Sequence, residues 1–318
     1  MATVLHPPTV GSDPAARTPR LRPRAGADLR RPRLRWALIA PAMVLLLAMT
    51  VFPFLYALWI SAHKWKTTFP VKPFIGLDNY SRLVTDDDRF TNAIVQTVLI
   101  GVAALTIEFL FGLAMALLFW HAYHRVRWLA TLILLPMMIA PVVVGFTARM
   151  AFTDNYGFVN QILSLVMPGE VSPQWLSDST LAPLVIIAAD AWQWGPFVFL
   201  LLLAGLLATT GDEVEAAVVD GANGRQVFWH VLLPGMRYIL IVALVLRGLD
   251  LLRMFDVVAL ATRGGPGVGT ETLTYYIYNL GFKFFDLGYA AAASMLMLVG
   301  VSVLVTFAVR SVVRGARA

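Results

Sequence analysis

Six ionisable side chains fall inside stretches of sequence otherwise too apolar to hold them: Glu108, Asp190, Arg247, Asp250, Arg253 and Asp256. An isolated charge in hydrocarbon costs roughly 2.5 to 3.5 kcal/mol, so such residues are paired or functional. Arg247, Asp250, Arg253 and Asp256 are spaced by three with alternating sign. Neighbours at that spacing can pair along a helix. Each step of three also turns the helix face back by about 60°, so the stripe spirals and cannot all meet one partner. Two readings stay open. In the first, Glu108 and Asp190 neutralise Arg247 or Arg253. In the second, these groups line a polar path, where Trp192, Gln193 and Trp194 offer ring faces and an amide to a polar solute. A third use, a proton site on Glu108 or Asp190, would suit an ion-coupled carrier.

The elements that must position these groups are membrane helices. The chain is 58% hydrophobic and 14% charged over 318 residues, with a mean hydropathy of +0.72. Its apolar residues come in blocks of roughly 20, the length that crosses a ~30 Å hydrocarbon core. The fold class is therefore an all-α polytopic membrane protein embedded in a lipid bilayer. Six transmembrane helices are expected, near Trp36–Ile60, Ala93–Phe119, Trp128–Met150, Leu181–Leu207, Tyr238–Leu260 and Tyr289–Val309. They divide the chain into a basic tail over 1–35, a membrane domain over 36–310 and a short basic tail over 311–318. The Pro- and Arg-rich start cannot form a core and is expected to be disordered. The apolar run after it is too long for the core of a cleaved signal peptide and reads as a first membrane helix.

Charge sets the orientation. His121, His124, Arg125 and Arg127 separate spans two and three, and Arg310, Arg314 and Arg317 follow span six. The stretch 151–180 carries acids and no Lys or Arg. Positive residues stay inside, so both termini and the 120–127 and 208–237 loops are expected in the cytoplasm. Lys64, Lys66, Lys72, Arg82 and Arg89 in the first outer loop oppose this and are outvoted. The pattern over Phe152–Val166 predicts an amphipathic helix, with Trp175 as an anchor at the outer surface. There are no cysteines, which excludes disulfides and thiolate chemistry. The histidines are scattered and no metal site is expected. The net charge of +6 sits in tails and short loops, where it serves topology, and no nucleic-acid partner is expected.

The 208–237 loop is the most ordered-looking polar segment. Asp212, Glu213 and Glu215 open a helix, where its dipole favours acids. Asp220-Gly221-Ala222-Asn223-Gly224 is turn chemistry, and Pro234 marks the approach to the next membrane helix. The expected product is a helix, a tight turn and a second short helix. Its spacing is Glu215-Ala216-Ala217, three residues, Gly221, nine residues, then Val231-Leu232-Leu233-Pro234.

That spacing resembles the cytoplasmic loop of permease subunits of binding-protein-dependent ATP-binding cassette importers, with Val231 where the family has Ile. Phe255-Asp256, Gly264-Gly265-Pro266-Gly267, Thr270-Glu271-Thr272-Leu273 and Phe285 to Ala290 look like the last third of maltose-type sugar permeases. So do Asn79-Tyr80 and Trp192 to Pro196. The resemblance implies a type I importer permease fold in a bacterial inner membrane. It implies that Glu215, Ala216, Ala217, Gly221 and Pro234 form a coupling element seated in a separate ATPase dimer, and that a second, homologous permease and an extracytoplasmic substrate-binding protein complete the machine. The Gly264–Gly267 loop would feed the docking surface for that binding protein. No phosphate-cradle motif G-x-x-x-x-G-K-[ST] occurs in the chain, so ATP and Mg would belong to the ATPase and this subunit would hold no cofactor and catalyse nothing. The solute would be a sugar, oligosaccharide, polyol or glycerol-phosphate-like molecule.

Overall fold

The computed structural model describes residues 32–167, 172–209 and 211–317, and for 32–35, 37, 121–127 and 311–317 the backbone alone. The expected disorder over 1–31, the His121 and His124 side chains and the last arginines therefore lie outside the described residues. Residues Pro32 to Arg35, expected in the tail, already belong to the first helix.

The described residues are helical. In order they form α1 (Pro32–Ser61), α2 (Asp78–Thr85), α3 (Asp88–Ile133), α4 (Pro141–Ala151), α5 (Phe158–Val166), α6 (Leu181–Ala208), α7 (Gly211–Val219), α8 (Gly224–Val227), α9 (Leu233–Gly235), α10 (Arg237–Leu251), α11 (Leu273–Tyr278) and α12 (Leu287–Arg317). The chain divides into one unit up to Phe54, formed in the described residues by the first part of α1, and a larger one from Leu55 onward.

Among the described residues four helices are long and apolar enough to cross a membrane: parts of α1, α3, α6 and α12. A fifth span exists if Gly224–Gly235 and α10, bent by 65°, count as one. The expected sixth, Trp128–Met150, is not a continuous helix. α3 runs straight through the expected 120–127 loop to Ile133, because nothing between the two segments breaks a helix. Prolines do the breaking later. Pro136 opens a short 3-10 turn, and Pro141 opens the 11-residue α4. A residue before proline is pushed out of the α region, and Ala140 is extended at ψ 136°.

The core of the larger unit is α3 against α6. One apolar cluster joins Ile100 and Ala104 of α3 to Val185, Ile186 and Ala189 of α6, with Leu251, Val257 and Tyr275. A second joins Ala116 and Phe119 to Val198, Phe199, Leu202 and Leu206, with Val227, Leu232 and Met236. Of the amphipathic helix expected over Phe152–Val166, only Phe158–Val166 forms, as α5, because 152–157 is taken up by the end of α4 and a turn closed by Gly157. Trp175 folds back on this segment, donating from Nε1 to Asn160 Oδ1 at 2.7 Å and meeting Phe152 edge-on.

Four of the five positive residues between Lys64 and Arg89 are held by side-chain contacts. Lys66 pairs with Asp286 at 3.3 Å, Arg89 grips Glu271, Lys72 lies over the Trp65 ring and Arg82 over Tyr289. Their placement answers to packing. Asn79 donates to the Ser61 and His63 carbonyls at 2.8 and 3.1 Å, and Tyr80 meets the Ser61 hydroxyl at 2.6 Å. The 271–273 motif is equally structural. Glu271 accepts two bonds from Arg89 and one from Asn279, Thr272 donates to Met254 O, and the Leu273 amide donates to Thr97.

Gly288 sits where its backbone crosses the 63–65 segment. Its amide donates to Trp65 O at 3.1 Å, and a Cβ there would lie 2.1 Å from His63 O. Neither backbone can yield without breaking that bond. Gly288→Ala is expected to destabilise the chain by about 3 kcal/mol, read as a lowered unfolding temperature in detergent.

Candidate functional site

Two constellations stand out, one at each end of α10. The first is the 208–237 segment. α7 ends in a left-handed turn: Gly221 has φ +85°, the Ala222 amide donates to Ala217 O at 2.9 Å and the Gly221 amide to Val218 O at 3.0 Å. This paired closure is the Schellman motif, which satisfies the last carbonyls and favours glycine. Two residues later Asn223 starts the next helix with a reciprocal cap. Its Oδ1 accepts from the Gln226 amide at 3.0 Å while Gln226 Oε1 accepts from the Asn223 amide at 2.8 Å. Each end is thus locked by local chemistry.

The second helix then widens into a π turn over Phe228–Leu232, just before Pro234. Proline has no N–H to give and crowds the preceding turn, and a widened turn accommodates that. Together with Met236 it sets the 65° bend into α10.

The hairpin is not free. Val227, Leu232 and Met236 are buried against α3 and α6, and Val214, Ala217 and Ala222 pack on the same cluster. The small-residue pair therefore splits. Ala217 faces the chain's own core, whereas Glu215, Ala216 and Gly221 are exposed. The exposed face also carries Val218 and Val219, the latter 86% exposed, which the motif alone does not single out. Pro234 is exposed but acts on the bend.

The second constellation is a buried charge cluster between the two apolar clusters. Arg247 is 2% exposed, Glu108 0% and Asp190 4%. The guanidinium forks onto Glu108, Nε to Oε2 at 2.7 Å and Nη2 to Oε1 at 2.9 Å. Nη2 also donates to Asp190 Oδ2, and Nη1 donates to Asp250 Oδ2 at 2.6 Å. The Trp194 ring lies over the guanidinium at 5.1 Å. One arginine thus organises three carboxylates and a ring, as its planar fork permits.

A small cleft of about 100 Å³ opens beside it, lined by Asp190, Gln193, Trp194, Asp250, Arg253 and Phe255 among others. Gln193 is fully buried. Its Nε2 donates to Ile139 O at 2.7 Å, the carbonyl freed by the break before Pro141. Its Oε1 has no hydrogen-bond partner among the described residues.

The structure corrects two expectations here. Trp192 is 54% exposed and does not line the cleft. Consecutive helical residues are 100° apart, so three in a row cannot share one face. The charge stripe of span five also stops short. α10 ends at Leu251, so Arg253 and Asp256 lie beyond a break. Arg253 has no ion pair among the described residues and simply borders the cleft.

Comparison with known proteins follows the same lines. Residues 108–318 match the family described as the inner membrane component of binding-protein-dependent transport systems. The chain is 35% identical over 274 residues to the trehalose/maltose transport system permease protein MalF of Thermococcus litoralis, covering 85% of this chain and 90% of that one. It is 34% identical over 282 residues to the trehalose transport system permease protein SugA of Mycobacterium tuberculosis, covering 88% and 89%. A chain of the bacterial ABC transporter involved in import of the acidic polysaccharide alginate superposes with a TM-score of 0.77 at 24% identity, covering 90% of this chain and 97% of that one. At that identity the likeness is one of fold.

Proposed function

We propose that this chain, which belongs to the family of inner membrane components of binding-protein-dependent transport systems, moves a sugar or related polar solute inward and takes its power from ATP hydrolysed elsewhere. The observation that carries this reading is the 211–235 hairpin. It presents Glu215, Ala216, Val218, Val219 and Gly221 outward on a base packed into the membrane domain. A stroke delivered to a rigid, capped element reaches the helices behind it, whereas a loose loop would absorb it. Because Met236 joins the hairpin to α10, and α10 carries Arg247 at its far end, displacement of the hairpin acts on the charge cluster through one helix. Alternating access follows if the membrane helices rock with that displacement.

Since the sequence holds no phosphate-cradle motif, the ATPase is a separate dimer gripping the hairpin from the cytoplasm. A second permease and an extracytoplasmic binding protein complete the assembly. Both termini and the hairpin face the cytoplasm of a bacterial inner membrane. The solute passes the cleft at Gln193 and Trp194, where the unpartnered Gln193 Oε1 offers an acceptor for a hydroxyl. The names of the relatives favour trehalose or maltose as first candidates. The ion-coupled alternative leaves the capped 211–235 hairpin without a task.

The complete assembly in proteoliposomes tests this. Trehalose or maltose uptake is expected to require ATP and the loaded binding protein, and to survive collapse of the proton gradient. Uptake that stops with the gradient and persists without ATP overturns the reading.

A further inference from the structure

Beyond the cleft lies a larger cavity of about 430 Å³, lined by Val142 of α4 and by residues of the 255–283 stretch that follows α10. Three rings shape it. Phe255 meets Tyr278 edge-on at 5.1 Å, and Tyr275 stacks with Tyr278 at 6.0 Å and 24°. Two cations, Arg263 and Lys283, and one acid, Asp256, complete the lining. Lys283 Nζ donates to the Tyr275 hydroxyl at 2.9 Å. Neither cation has a carboxylate within ion-pair distance among the described residues.

Arg263 is held in an unusual way. It has φ +57°, in the left-handed region, where its amide closes the π turn over Val258–Thr262 by donating to Val258 O at 2.8 Å. A side chain with a Cβ rarely adopts that backbone, and such positions concentrate where a side chain must be aimed. The relation of this cavity to the cleft is direct. Phe255 and Asp256 line both, so they form a common wall between two successive spaces.

We propose that this cavity is a separate binding station for a sugar bearing an anionic group, a carboxylate, phosphate or sulfonate, which it holds before the solute reaches the Gln193–Trp194 cleft. The inference rests on the reading that this chain conducts a solute, and it adds a second site and a charge preference. Flat aromatic faces suit the C–H side of a sugar ring. Two cations against one acid leave an excess positive charge, and the Arg263 fork suits a planar or tetrahedral oxyanion. Asp256 accepts from a hydroxyl at the shared wall.

The chain has no cysteine, so Tyr278→Cys supplies a single thiol in this cavity, with Leu260→Cys as a second reporter should loss of the ring disturb folding. Thiol labelling of the full chain in detergent is timed with glucuronate, glucose 6-phosphate or glucose. At least one anionic sugar is expected to slow labelling at a concentration about tenfold below that needed for glucose, and Arg263→Asn/Lys283→Gln to remove that advantage. Asparagine is chosen because it tolerates the left-handed backbone. Equal protection by glucose, no protection by either anion, or protection undiminished in the double variant overturns the proposal. The measurement involves neither ATP nor partner subunits, so its failure leaves the importer reading standing, and failure of ATP-driven uptake leaves this binding result standing.

Discussion

Gly221→Asp is expected to abolish solute uptake while the chain reaches the membrane in normal amount. Gly221 closes α7 at φ +85°, and a Cβ placed there meets no heavy atom within 4 Å. The substitution therefore clashes with nothing in this subunit. Its intrinsic cost is backbone strain of about 1 kcal/mol, small beside the 5 to 15 kcal/mol that holds a typical domain together. Folding and insertion survive. What changes is the exposed face, which gains a carboxylate and a side chain next to Ala216 and Asp220, where the ATPase subunit is proposed to seat. Gly221→Ala separates the two effects, since it brings the strain without the charge, and partial uptake is expected. Immunoblots of membranes alongside uptake of labelled trehalose or maltose read both quantities. Near-normal uptake by Gly221→Asp would contradict the role given to the hairpin.

Arg247→Ala is expected to be the most destabilising single change in the membrane domain. Removing the guanidinium leaves Glu108 and Asp190 buried with no counter-charge, and breaking a buried pair this way costs about 3 to 5 kcal/mol. Low membrane yield and a lowered unfolding temperature in detergent are the readouts. Arg247→Lys does not rescue fully, because a point ammonium cannot reproduce the fork onto Glu108 and the reach to Asp190 and Asp250. The triple change Glu108→Gln, Asp190→Asn, Arg247→Met removes the whole charge set and is expected to recover much of the lost stability. An Arg247→Ala protein that melts like the parent would mean the cluster is not organised by that arginine.

The hairpin was legible in the sequence because its determinants are local. Gly221 marks a turn that needs positive φ, Asn223 and Gln226 cap across three residues, and Pro234 announces a disturbance within one turn. The charge cluster was legible only as residue types. Choosing Arg247 over Arg253 as the partner of Glu108 required knowing how helices 139 residues apart pack, and the break after Leu251 that moves Arg253 away carries no proline to signal it. The count of six spans is not matched among the described residues, for the opposite reason. The basic run before Trp128 looked like a loop, yet it holds no residue that stops a helix, and α3 continues to Ile133 before Pro136 and Pro141 end the regular structure. The division between Ala216, exposed, and Ala217, packed inward, follows from a helix phase that the family-like spacing does not reveal.

The most direct test of the account uses a single cysteine at Ala216, on the exposed face of α7 in an otherwise cysteine-free chain. In membranes carrying the full assembly, a short bifunctional reagent is expected to join Ala216→Cys to the ATPase subunit, in a yield that changes when ATP is trapped, while a cysteine at Tyr156, in the exposed turn between α4 and α5, stays unlinked. Crosslinking of Tyr156→Cys instead of Ala216→Cys, or labelling of Ala216→Cys only from outside the cell, would contradict it.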